Sequence, residues 1–144
     1  MDQNQRRSII LNHYQHPLHR GLIEDKSYQK SDTSNESCID EIHLMAKVEN
    51  QIIKDIRFDG EACAICISST SIMIQTLLGK SISEAIQITK EFENMIQHQE
   101  YDASILDQAN VYDDIYKQPN RKTCALLPWW GMKKIIEKED EINE

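Results

Sequence analysis

Between Ile42 and Leu78 the spacing of apolar residues changes period once, and that change fixes the kind of fold the chain can adopt. "IHLMAKV" and "IIKDIRF" read as two strands around a turn at Glu49, Asn50 and Gln51. Ile42, Leu44, Ala46 and Val48 fall on one face of the first, and Ile56 and Phe58 on one face of the second. Asp59-Gly60 reads as the break that ends the pair. From about Ala64 to Leu78 the period is helical. Ile65, Ile72, Met73, Thr76 and Leu77 share a face, while Ser68, Ser69, Thr70 and Ser71 are small. Almost no charge interrupts this helix, so it is expected at the centre of the molecule, with Gly79 as its C-cap.

Other elements follow from local signals. "RRSIILNHYQH" has helical spacing at Ile10, Leu11 and Tyr14, and Pro17 ends it. Ser27 to Ser37 is polar and is expected to be a loop, with at most a short strand before it, delivering Cys38. Ser81 and Glu84 form a capping box, which starts a helix to about Lys90. A further helix is expected through "FENMIQH", then one capped by Asp102 and a loop ending near Pro119. The last helix is expected to begin near Cys124 and run into an acidic tail, about 137–144, that frays. Strands come early and helices late, which is α+β order. The expected fold is a small antiparallel β-sheet of about three strands with helices packed on it, a single domain over 1–144.

A chain of 144 residues can bury a core of its own. Its net charge of -8 argues against a nucleic-acid partner and suits a protein partner with a basic patch. No run of about 18 apolar residues is present, so no membrane span is expected. "MDQNQRRSIILNHYQ" is too polar for a signal peptide, and a cytoplasmic location is expected. Thiols stay reduced there, which turns four cysteines toward metal or sulfur chemistry.

Three of the cysteines sit at element boundaries. Cys38 leaves a polar loop before a strand, Cys63 lies at a strand-to-helix junction, and Cys124 at the start of the last helix. A helix N-terminus favours a thiolate. Asp40 is two residues from Cys38, so in extended chain both side chains point the same way. Three thiolates and one carboxylate would complete a tetrahedral zinc site of formal charge about -2, with the carboxylate the weaker-held ligand. The intervals are long, so spacing leaves a second reading open, in which these cysteines are small buried hydrophobes. Cys63 and Cys66 have Cys-x-x-Cys spacing, but no Trp precedes them and a thioredoxin's βαβ context is missing. Cys66 is read as a core residue. His13, His16 and His19 straddle Pro17 and are read as a surface cluster. Pro128 is placed in a helix's first turn, with one of Trp129 and Trp130 in the core and the other at a partner surface.

Taken together, "ILNHYQHPLHRG", "SCID", "FDGEACAICISSTSIM" and "RKTCALLPWW" resemble the iron–sulfur cluster assembly scaffold family of IscU, SufU and the NifU N-terminal domain. The likeness covers nearly the whole chain. Thr123 stands where classical scaffolds have a histidine before the third cysteine. That substitution, Arg121 and the segment "QEYDASILDQANVYDDIYKQPN" are similar to the SufU branch. The resemblance implies an IscU/NifU-like fold and zinc held by Cys38, Asp40, Cys63 and Cys124. It implies Cys38 as acceptor of persulfide sulfur and Arg121 as a supporting residue. The partners it implies are a pyridoxal-phosphate-dependent cysteine desulfurase of SufS type and downstream iron–sulfur assembly proteins. Such a protein is a sulfurtransferase-like carrier acting with the desulfurase rather than a stand-alone enzyme. The alternatives are a scaffold holding a [2Fe–2S] cluster on the same ligands, and a non-catalytic desulfurase-binding adaptor. Three positions depart from the family's pattern: Ile39 and Ala62 replace glycines, and Cys66 replaces a serine. Because Ile resists positive φ, a changed turn is expected at Ile39.

Overall fold

Asn50 and Gln51 both adopt left-handed φ, 52° and 64°, which makes the two-residue turn whose twist suits a hairpin. The turn joins β2 (Asp40–Glu49) to β3 (Ile52–Glu61), antiparallel. These coordinates come from a computed structural model, which describes residues 1–142. A bulge between Lys47 and Val48 resets the alternation, so Ile53 joins Ile56 and Phe58 on the buried face. The expected break at Asp59-Gly60 is not one: β3 runs on to Glu61, and Gly60 pairs with Ile42 at φ 136°. Glycine is needed there because a Cβ would collide with the carbonyl oxygen of Glu41.

The third strand, β1 (Gln29–Asn35), occupies most of the stretch expected to be a loop. It pairs antiparallel with β2, giving the order β1-β2-β3. Its polar composition hid it. Ser31, Thr33 and Asn35 turn inward, and all are small enough for a helix to lie close above them. Asp32, on the opposite face, meets His43 across the strands at 2.6 Å. That hydrogen bond, above all, raises the His43 pKa above its ordinary 6.5; the charges of Asp32, Glu41 and Asp59 add to it, and partial burial opposes it. The raised value stabilises the fold fully below pH 6.5, and the benefit disappears as pH rises through the folded midpoint. An NMR titration should give a His43 midpoint above 6.5 that Asp32→Asn moves back down; an unmoved midpoint would remove Asp32 as the cause.

The helices cover the inward face of the sheet. They are α1 (Gln3–Gln15), α2 (Ala64–Leu77), α3 (Ile82–Ile96) and α4 (Pro119–Ile142). α4 lies on β1 and β2, α2 packs between α4 and α1, and α3 backs α4. As expected, α2 is central: every residue from Cys66 to Ile74 is buried. Ser81 and Glu84 do form a capping box. The two helices expected across 82–98 are one, since the apolar stripe Ile82, Ala85, Ile88, Phe92, Met95, Ile96 never breaks. The helix expected after Asp102 is replaced by three short 3-10 turns, Ala103–Ile105, Asp107–Tyr112 and Ile115–Lys117, with Asp102 capping the first. Leu106, Ala109, Tyr112 and Ile115 are all buried, and their spacing of three is the 3-10 period. This segment therefore closes the core instead of looping around it.

α4 starts at Pro119, so Cys124 lies in its second turn and Pro128 in its interior rather than its first turn. Trp129 is fully buried, stacked on Phe92 at 4.1 Å, with its indole N–H donating to Ser69 Oγ at 3.2 Å. Trp130 is partly exposed, as expected for one of the pair. α4 continues to Ile142 through most of the expected frayed tail, whose last two residues lie outside those described.

Candidate metal centre

Each of the expected ligands is placed by a different local device. β1 and β2 are joined by a tight turn through Glu36, Ser37, Cys38 and Ile39, closed by the pair Asn35 and Asp40. The Cys38 amide donates to the Asn35 carbonyl at 3.2 Å, which holds Cys38 half-buried at the tip. Asp40, the first residue of β2, is buried and points inward, where Oδ1 accepts the Cys63 N–H at 2.8 Å. Cys63 is the N-cap of α2, and its Sγ lies 3.8 Å from Asp40 Oδ2. Cys124 comes in from α4, fully buried, its Sγ 3.9 Å from the Asn120 carbonyl oxygen. One donor atom from each of Cys38, Asp40, Cys63 and Cys124 lies within 4.8 Å of the other three.

The electrostatics of this cluster run against the helix-dipole expectation. Burial raises the Cys63 thiol despite its place at a helix N-terminus; the Cys66 amide offsets this in part, and the Asp40 charge adds to it. Cys124 is pushed up further, by burial first and then by its contact with Asp40. Four acids held this close oppose one another's ionisation, and a divalent cation reverses that balance by favouring every thiolate at once. Three sulfurs and one oxygen are also a donor set suited to zinc. The residues present therefore fit the ion. Arg121 is exposed one turn before Cys124. Its own pKa is raised, first by the Cys124 sulfur and then by the charges of Cys63, Cys124 and Cys38, so its cation is held beside the cluster.

The departures are accommodated locally. Ile39 is 89% exposed, so its side chain displaces nothing. It is not among the residues with positive φ, and the turn is made without the left-handed geometry a glycine would allow. Cys66 is fully buried one helical turn beyond Cys63, outside the cluster, and burial pushes its thiol far above the ordinary range. That agrees with its reading as a core residue. Cys66→Ser should leave metal stoichiometry as in the wild type, measured by elemental analysis; a lost equivalent would put Cys66 among the donors.

Of the three histidines, His16 and His19 are at the surface, but His13 is buried. Ser71 Oγ accepts the Leu18 N–H at 2.9 Å and lies 2.8 Å from His13 Nδ1, within hydrogen-bond reach of both. His13 Nε2 lies 2.8 Å from Gln108 Oε1, an amide oxygen that can only accept, so Nε2 donates there. This bridge ties α1 to α2 and to the 3-10 segment. Its signal in the sequence was slight: His13 is one turn beyond Ile9 and Ile10, on the apolar side of α1.

The NifU-like N-terminal domain model matches residues 5–125, and the chain belongs to that family. It is 36% identical over 138 residues to the zinc-dependent sulfurtransferase SufU of Bacillus subtilis, covering 95% of this chain and 92% of that one. It is 31% identical over 129 residues to the iron–sulfur cluster assembly scaffold protein IscU of Thermotoga maritima, covering 90% of each. Among solved structures, a putative iron–sulfur cluster assembly scaffold protein for the SUF system from Fervidobacterium islandicum superposes with a TM-score of 0.83 at 32% identity, over 87% of this chain and 91% of that one. The N-terminal part of a NifU-like protein from Brucella abortus superposes with a TM-score of 0.83 at 15% identity, over 92% of each chain, which speaks for the fold alone. The expected IscU/NifU-like α+β fold is thus the observed one.

Proposed function

We propose that this protein accepts sulfur on Cys38 from a cysteine desulfurase and passes it on for iron–sulfur cluster assembly, with zinc held by Cys38, Asp40, Cys63 and Cys124. The observation that carries the reading is the convergence of those four donors within 4.8 Å from three separate segments. Likeness to a protein named as a zinc-dependent sulfurtransferase supports it. When bound, zinc would keep the thiolates deprotonated and unoxidised. Cys124 is fully buried and Cys38 and Cys63 are both half-buried, but of these Cys38 sits at the tip of an exposed turn, which favours it as the thiol a partner meets. Its thiolate attacks the outer sulfur of the partner's persulfide. One S–S bond forms on Cys38, the partner's S–S bond breaks, and the partner's cysteine leaves as thiolate, with no net oxidation. The Arg121 cation beside the cluster offsets the negative charge of the incoming persulfide. The desulfurase is a pyridoxal-phosphate enzyme of SufS type, and the setting is the cytoplasm. No helix among the described residues is long and apolar enough to cross a membrane.

A second reading, a scaffold for a [2Fe–2S] cluster, draws on the likeness to an IscU scaffold protein and on the same thiolates. Against it stands Thr123 before Cys124, at the position where such scaffolds carry a histidine. The test is anaerobic purification, metal analysis, and desulfurase turnover with and without the protein. Stoichiometric zinc and accelerated turnover support sulfur transfer. A coloured, iron-bearing protein that hands on intact clusters supports the scaffold. Absence of metal together with unchanged turnover overturns both and leaves a docking adaptor.

A further inference from the structure

The pair that closes the β1–β2 turn reaches both of the other cysteine segments. Asn35 and Asp40 are cross-strand partners, so their side chains leave the same face of the sheet. Asp40 goes to Cys63. Asn35, buried beside it, goes to Cys124, with Nδ2 4.0 Å from Sγ, the long limit for an N–H···S contact. The orientation of the Asn35 amide follows from its other end. Oδ1 accepts the Ser37 hydroxyl at 2.8 Å and the Ser37 amide at 3.3 Å, which only an oxygen can do, so the NH2 group must face the sulfur. The Asn35 carbonyl meanwhile accepts the Cys38 amide. One residue thus holds the turn that presents Cys38 and aims a donor at the Cys124 sulfur.

We infer that Asn35 is a positioning residue of the metal centre, an uncharged counterpart of Asp40 that sets Cys38 against Cys124 and orients the Cys124 sulfur by an N–H···S contact. This inference rests on the metal-binding reading above. Partners of this kind around a metal site change affinity by about 10- to 100-fold when removed. Asp is the sharpest substitute, because it keeps shape and both acceptor bonds from Ser37 while replacing the donor by a charge that repels a thiolate. Ser37→Ala is the milder second variant: it removes one of the two bonds that orient the amide, at an exposed position where folding is not at stake.

The experiment is competition of metal-free protein against a chromophoric zinc chelator, with the sulfur-to-cobalt charge-transfer band of the cobalt(II) form as the second readout. Asn35→Asp should bind zinc at least about 10-fold more weakly. Ser37→Ala should weaken it by a few-fold, and both should shift the cobalt band. A residue that only shaped the turn would lower thermal stability and leave the band in place, which would overturn the inference. So would wild-type zinc affinity in both variants while the wild type itself binds. If the wild type binds neither ion, the metal-binding reading fails and this one with it.

Discussion

Cys38→Ala should bring desulfurase turnover back to the level measured without the protein, while the fold stays intact. The two halves of that result come from separate facts. Cys38 offers a half-buried sulfur at the tip of a turn held by backbone and Asn35 contacts that an alanine keeps. Loss of its half-buried sulfur should therefore cost the metal-free protein less than about 1 kcal/mol. The acceptor is gone, however, and Cys124 and Cys66 are fully buried, which leaves half-buried Cys63, set back at the N-cap of α2, as the one thiol to watch. Single-turnover transfer of radiolabelled persulfide sulfur, followed by mass spectrometry of each cysteine, checks this directly. Sulfur arriving on Cys63 at an undiminished rate in the variant would make Cys63 the acceptor.

Gly60→Ala should be the most destabilising single methyl group in the sheet, costing on the order of 3–5 kcal/mol. Two penalties add. Gly60 has φ 136°, a backbone conformation that strains any L side chain. The new Cβ would also meet the main chain of β2 at Glu41, which cannot rotate away as a side chain could. Relief requires β2 and β3 to part where Asp40 begins one strand and Cys63 follows the other, so metal affinity should fall together with stability. In urea the unfolding midpoint should drop by about 2 M, given slopes of about 1–3 kcal/mol/M for proteins of this size. An unchanged midpoint would show that the strands part here at no cost.

The centre was more legible in the sequence than the frame around it. Cys38, Asp40, Cys63 and Cys124 were readable because they stand at transitions between chain periods and match a known pattern. Their convergence was not readable from spacing, since it depends on α4 crossing β1 and β2. β1 escaped notice because "QKSDTSN" has no apolar alternation: its inward residues are Ser31, Thr33 and Asn35, chosen for size under α4 rather than for hydrophobicity. At Gly131 the helix lies against the sheet, and an added Cβ would press on Leu44 and Thr33. The 3-10 segment hides its structure in a different way. Its buried residues recur every third position, and a search for a period of 3.6 sees only a broken helix. Asn35 had no signal at all, because a side chain that serves a ligand from a distant element carries no local mark.

The clustered donors come from the β1–β2 hairpin, the N-cap of α2, and α4. During synthesis the ribosome releases the hairpin and α2 long before α4, so a growing chain presents two of the cluster's three thiols and its carboxylate, without Cys124. On the proposed function, complete coordination would wait for α4 to dock, a contact between residues far apart in sequence and therefore slow to form. Metal then selects finished molecules over partly folded ones. Its binding free energy adds to the native state alone, by RT ln(1 + [L]/Kd), and loading becomes a checkpoint on the completeness of folding.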